Sequence, residues 1–438
     1  MGGGAEDERH TRVDPNLEPI LVHRRHELTS LPIPDDLTLD ILRRLPNPAD
    51  LVRASAACVS FRRLIADRSF LRRFRELHAP PLLGFLEQDT KVFHPVASPH
   101  PSAPEARAAA LAADFSFSFL PAPFAADFSF SLLPAPARDW LVQDTRDGRV
   151  LLDRPREHGH GILNRYKVVF PELVVCDPLH RRYILLPPIP AHLATTVERP
   201  LQSTQHRYCE TFLAPPADAS PLSSAAEQTT SFSVIWMAHC ATKPVAFVFS
   251  SSTGQWRPVS SPSWSASIAD LLSLTQMPPF SGRQYAYGCF YWLKRLGGQL
   301  LELDTRRMEV SISELPREIE CLRGEDIAIV EAGEGRPGMY VRLQFTNHLN
   351  YYVRGNNGGW QFEKTVSLDF ECLFIGSMGR HLFLSKRASS SLDAGLLSLD
   401  VKTFHLERLF VSNSFITSGR RICTYSNFPP SLLSTPTI

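Results

Sequence analysis

The sequence predicts an α+β multidomain protein in which a small N-terminal unit of three or four short helices precedes an all-β, propeller-like domain. Three observations carry that expectation: a helical apolar period confined to the region from Leu31 to Phe74, a change to period two beyond residue 80, and a strand–turn–strand unit that recurs along the rest of the chain. At 438 residues the chain exceeds the roughly 250–300 at which a single core stops growing, so more than one domain is expected. Apolar residues at 43% and charged residues at 21% are ordinary for a soluble globular protein. Thirty-six prolines against 23 glycines point to many loops and edges, and to few long helices.

Residues 1–29 are glycine-led and charged and lack the apolar content to order themselves, so they are expected to be a disordered N-terminal segment. The helical unit follows over residues 30–76. In "LPIPDDLTLDILRRLP" the residues Leu37, Ile41 and Leu45, joined by Leu42, fall on one helical stripe that Pro46 ends. Asn47 then reads as an N-cap, with Pro48 at the first helical position and Asp50 in the first turn, where the macrodipole favours an anion. Leu51, Val52 and Ala54 line this second helix. Ser60 is expected to cap a third with Phe61, Leu64 and Ile65, and Ser69 a last turn with Phe70 and Phe74.

Beyond residue 80 the period is two. In "MEVSISELP" Met308, Val310 and Ile312 share one side and Glu309, Ser311 and Ser313 the other, the pattern of a half-buried strand. Five segments share a strand, a polar turn and a second strand, with turns near Asp177, Ser251, Asp304, Asn356 and Asp400. Their intervals of 74, 53, 52 and 44 residues give a period of about fifty, the length of a four-stranded blade of the kelch type. One small antiparallel sheet leaves both faces uncovered, and blades stacked around an axis cover each other while leaving only short edges. The β domain thus spans 77–438, with room for five to seven blades. The aromatic stretch "YAYGCFYWL" (Tyr285, Tyr287, Phe290, Trp292) reads as a core strand.

Two low-complexity insertions interrupt the β pattern, at 95–137 and 214–231. The first holds a near-duplicate, "ADFSFSFLPAP" at 113 and "ADFSFSLLPAP" at 126. Alternating Phe suits a strand with one aromatic face, and two copies cannot fill one strand position.

A net charge of +1 gives no global attraction to nucleic acid or to an anionic membrane. The eight cysteines are dispersed with no CxxC pair and read as buried thiols of a reducing compartment. No signal peptide pattern, no apolar run of membrane-spanning length and no N-x-Ser/Thr sequon is present, so a cytoplasmic or nuclear location, or both, is expected. GxxxxGK[ST], HExxH and GxSxG are all missing. The pair His158 and His160 in "HGHG" lacks the further ligand that a metal site requires. No catalytic residue, cofactor or metal is assigned.

The helical segment resembles an F-box. The residues that carry the resemblance are Leu31-Pro32, Asp36-Leu37, Ile41-Leu42, Leu45-Pro46, Leu51 with Arg53, Cys58, Phe61-Arg62 and Leu64-Ile65. Phe61 stands where the family usually has Trp, and Ala57 where it has Val. The later stretches "DGRVLL", "VVCDPLHRRYILLPPIP" and "YGCFYWL…LLELDT" are similar to the β domain associated with plant-type F-box proteins. The resemblance implies a non-catalytic substrate-recognition subunit of a Skp–cullin–F-box ubiquitin ligase. The F-box would dock on a Skp-family adaptor, and through it a cullin, while the β domain binds an unknown protein substrate. Leu31, Pro32, Leu37, Ile41, Leu45, Pro46, Leu51, Val52, Phe61 and Ile65 would face the adaptor or shape its interface. Several of them would equally serve to pack the helices together.

Two other readings stand beside it. One is an F-box scaffold that sequesters its partner without promoting turnover. The other is a helix-turn-helix DNA-binding protein that uses Arg62, Arg63, Arg68, Arg72, Arg73 and Arg75 against phosphates. Pro46 and Pro48 in the would-be turn argue against the second.

Overall fold

The computed structural model describes residues 33–45, 48–78, 80–120, 140–154, 170–198, 209–215, 231–275, 279–294, 298–319, 326–343, 346–386, 395–411 and 422–428. A helical unit of α1 (Asp35–Arg43), α2 (Pro48–Ala57), α3 (Val59–Ile65) and α4 (Arg68–Leu77) precedes an all-β propeller. Pro48 opens α2 as its spacing predicts, whereas Pro46 and Asn47 lie outside the described residues.

The caps of the last two helices differ from expectation. α3 starts at Val59 after an extended Cys58, so Ser60 lies inside the helix rather than at its cap. α4 is capped by Asp67, whose carboxylate accepts the N–H groups of Ser69 at 2.8 Å and Phe70 at 3.2 Å. A carboxylate accepts both bonds at once and is favoured by the positive helix end, so it takes the position assigned to Ser69. Leu42, Leu51, Ile65, Phe70, Leu71 and Phe74 form the core of the unit.

Six antiparallel sheets make the propeller among the described residues. Five are four-stranded and run in chain order from strand to neighbouring strand. They are β3 (Leu141–Arg146) to β6 (Arg182–Leu185), β7 (Cys209–Ala214) to β10 (Gln255–Val259), β11 (Phe280–Ala286) to β14 (Glu309–Glu314), β15 (Ile327–Gly333) to β18 (Trp360–Ser367), and β19 (Cys372–Met378) to β22 (Leu406–Val411). The sixth joins the two ends of the domain: β1 (Leu82–Glu87) pairs with β2 (Phe93–Pro95) on one side and with β23 (Ile422–Ser426) on the other. Closure of this kind removes the free edge that an open ring would leave.

All five turns that carried the sequence repeat join the third and fourth strands of a blade, between β5 (Glu172–Asp177) and β6, β9 (Pro244–Ser250) and β10, β13 (Gln299–Asp304) and β14, β17 (His348–Arg354) and β18, and β21 (Gly395–Asp400) and β22. Three share one chemistry. Asp177, Asp304 and Asp400 end a third strand and accept turn N–H groups, as Asp400 does from Lys402 at 2.8 Å and Thr403 at 3.0 Å.

The seams between blades are the cores. In β8 (Ser233–His239) Val234, Trp236 and Ala238 pack toward the preceding blade while Ile235 and Met237 pack toward the next. In β12 (Cys289–Lys294) Phe290 and Trp292 face one seam and Tyr291 and Leu293 the other. Inner strands are thus apolar on both faces. The alternation seen in "MEVSISELP" belongs to β14, an outermost strand, where only one face has a neighbour.

Two expectations are corrected here. "YAYGCFYWL" is not one strand but a hairpin that turns at Tyr287 (φ 49°) and Gly288 (φ 84°), the two left-handed positions of a tight two-residue turn. Its aromatics nonetheless lie in the seams, Phe290 and Trp292 buried and Tyr285 and Tyr287 half-buried. Within 95–137, residues 103–112 form a helix, α5 (Ala103–Ala112). The described part of the first "ADFSFSFLPAP" copy, residues 113–120, is a compact turn rather than a strand. Asp114 accepts the N–H groups of Ser116 (3.0 Å) and Ser118 (3.2 Å), Phe117 sits at φ 55°, and Phe115 stacks on Phe93 at 4.3 Å. Local carboxylate-to-backbone bonds compete with strand pairing and prevail over the alternating pattern. The second copy lies outside the described residues.

Candidate protein-docking site

On α1 the single stripe expected from Leu37, Ile41, Leu42 and Leu45 divides. Leu42 and Thr38 point inward and are 4% and 7% exposed, whereas Leu37 and Ile41, one turn apart, are 54% and 51% exposed. Neighbouring positions on a helix lie about 100° apart, so two apolar lines side by side cannot both face a small core. Asp36, Leu37, Leu39, Asp40 and Arg43 line a shallow hollow on this face. Beside it Arg44 pairs with Asp40 at 3.0 Å within α1, and Arg63 of α3 pairs with Asp35 at 3.3 Å.

The remaining sequence-assigned residues fall into three groups. Leu51 and Ile65 are buried in the helical core and shape the face from beneath. Leu45, Val52 and Phe61 are half-buried against that core. Leu31, Pro32 and Pro46 lie outside the described residues. Ile33, Val59 and Leu77, which sequence reasoning did not single out, are 39%, 69% and 53% exposed. Of the twelve large apolar side chains exposed among the described residues, five thus sit between Ile33 and Leu77. Exposed apolar side chains are therefore concentrated in this short helical segment.

The arginines assigned to a DNA-binding reading do not form its geometry. α2 and α3 are separated by Cys58 alone, shorter than the three to four residues of a helix-turn-helix turn. Arg63 is paired to Asp35, and Arg62 donates to the Ser55 carbonyl at 3.3 Å.

The propeller encloses a channel of about 2010 Å³ along its axis. Arg283 of β11 reaches Glu210 of β7 at 3.1 Å and Asp144 of β3 at 3.4 Å, which staples three blades together. Trp292 donates its indole N–H to Glu210 at 2.5 Å. Arg146 lies 4.0 Å over the Tyr285 ring and donates to the Leu213 carbonyl. Burial shifts several groups that serve packing: His239, stacked on Trp264, has its pKa lowered to about 4, and the thiols of Cys240 and Cys372 are pushed up to about 11. Among the described residues no two cysteines form a disulfide. Among the described residues no three His, Cys, Asp or Glu side chains converge as metal ligands, and no helix is long and apolar enough to cross a membrane. The pair His158 and His160 lies outside them.

Residues 32–76 match the F-box-like family. The protein therefore carries an F-box-like domain ahead of a six-bladed propeller. No relative was found among curated protein sequences. Solved structures with some likeness include an acylaminoacyl peptidase bound to Z-Gly-Gly-Phe-chloromethyl ketone, at 10% identity and TM-score 0.33 over 60% of this chain and 38% of that one. They also include the β-propeller domain of the Trilobed protease from Pyrococcus furiosus, at 9% and 0.32 over 60% and 68%. TolB from Acinetobacter baumannii matches at 12% and 0.31 over 62% and 68%. Likenesses this distant carry no inference about this chain.

Proposed function

We propose that the protein is the substrate-recognition subunit of a Skp–cullin–F-box ubiquitin ligase of the plant type, with a kelch-like propeller. The helical unit docks on a Skp-family adaptor that links it to a cullin, and the propeller holds a protein substrate. Its contribution to ubiquitin transfer is approximation: tethering raises the effective concentration of substrate lysines beside a charged conjugating enzyme, and the chain needs no nucleophile of its own. A cytoplasmic or nuclear setting follows from that role.

The observation that carries the reading is the outward Leu37–Ile41 pair on a helix whose adjacent Thr38–Leu42 line is buried, within an F-box-like domain. A carboxylate buried against an apolar partner surface costs several kcal/mol, roughly 2–5, or about 1.5 to 3.5 orders of magnitude in affinity. Leu37→Asp with Ile41→Asp is therefore expected to abolish co-purification with a Skp-family adaptor. Thermal melting should stay within about 1 kcal/mol of the parent because both side chains are exposed. Adaptor binding that survives in the double variant would refute the docking face. Substrate half-life in cells with and without the protein separates a ligase subunit from a scaffold, which leaves turnover unchanged.

A further inference from the structure

We propose that Phe428 couples closure of the propeller ring to the order of the helical docking unit, so that the adaptor-facing surface is complete only when the last strand is in place. This rests in part on the docking role proposed above.

The four residues from Tyr425 to Phe428 leave the ring in a fixed sequence of contacts. Tyr425, fully buried, donates its hydroxyl to the Gly148 carbonyl at 3.3 Å, and the Gly148 N–H donates to the Ser426 carbonyl at 2.8 Å. The Asn427 N–H donates to the Pro81 carbonyl at 3.2 Å, at the junction between α4 and β1. The Asn427 amide lies against Gly148, where any added Cβ would overlap it, and Gly148 sits at φ 78°. Phe428 then leaves the propeller. It is 7% exposed within the helical core, its ring edge-on to Phe74 at 6.5 Å.

Phe74 is the hub of that core. It is fully buried, stacks on Phe70 at 6.2 Å and on His78 at 4.2 Å, and His78 donates from Nε2 to the Arg43 carbonyl at the end of α1 at 2.6 Å. α1 carries Leu37 and Ile41 outward on the same helix that turns Leu42 in. A unit of this length is near the limit for folding alone, so one further buried ring is a large share of its core. That ring comes from the opposite end of the chain. The helices therefore receive their last core residue only after β23 has paired with β1 and closed the ring. Coupling of this kind is reciprocal, so an occupied docking face also holds the ring shut.

The test uses the full-length protein and two readouts: hydrogen exchange at the amides of α1 and α4, and affinity for a purified Skp-family adaptor. Phe428→Ala is expected to speed exchange in both helices, and to weaken adaptor binding, by roughly tenfold or more, with Phe428→Leu restoring most of each. Gly148→Ala, which touches no helical residue, is expected to act in the same direction by displacing Asn427. Unchanged exchange in α1 and α4 of Phe428→Ala overturns the proposal. If the parent protein binds no adaptor while exchange still responds to Phe428→Ala, the coupling stands and the docking role falls.

Discussion

The propeller and the helical unit solve the same burial problem with opposite success. The four-stranded blades bury most of their middle strands on both faces, and the pairing of β1 with β23 leaves the ring no open end. The helical unit has too few side chains to wrap a core. It borrows Phe428 from the far end of the chain and still leaves Leu37, Ile41 and Val59 in water. A closed ring satisfies itself, whereas a short helical unit satisfies itself only with help, and the faces left over are where a partner adds most.

The contrast can be broken most severely in the propeller. Trp292→Ala removes a side chain 1% exposed that packs on Phe212 and Phe290 and donates to Glu210. It is expected to cost about 3–5 kcal/mol, read by denaturant unfolding, because the seam cannot collapse into the cavity without opening the staple between blades. A loss below about 1 kcal/mol would mean that the seams are not the cores.

A smaller effect comes from acid. Burial lowers the His239 pKa from 6.5 to about 4, so the unfolded chain takes up a proton at a higher pH than the folded one. Its contribution to stability is complete above pH 6.5 and is lost as the pH falls toward 4, to a total on the order of 3 kcal/mol. Unfolding free energies measured between pH 7 and 4 should show this slope, and His239→Gln should flatten it. The smallest effect belongs to the helices. Asp67→Ala removes the carboxylate cap of α4 and is expected to cost about 0.5–2 kcal/mol, sharpening the contrast if hydrogen exchange rises in α4 but not in the blades.

How much of this was legible varies with how local the cause is. The hairpins between third and fourth strands were readable because each places its own turn residues beside its own strands, as Asp304 does ahead of Arg306 and Arg307. Pro48 at the start of α2 was readable for the same reason. The sixth blade was not legible as a unit, because its β1–β2 hairpin lies at residues 82–95 and its remaining strand at 422–426. The proposed docking face was half legible: Leu37 and Ile41 stand out in the sequence, but apolar character alone does not say whether a side chain faces its own core or another molecule's.

The amino-acid sequence by itself determined the order of helices and strands, the blade period and the ordered F-box-like spacing, since all of these depend on neighbours within a few residues. Only the tertiary structure decided that the ring closes through its two ends, that Asp144, Glu210 and Arg283 staple three blades, and that Leu42 turns inward while Leu37 and Ile41 turn out. The reason is that such contacts join residues tens to hundreds of positions apart, and which side of an apolar helix is buried depends on what the rest of the chain brings against it.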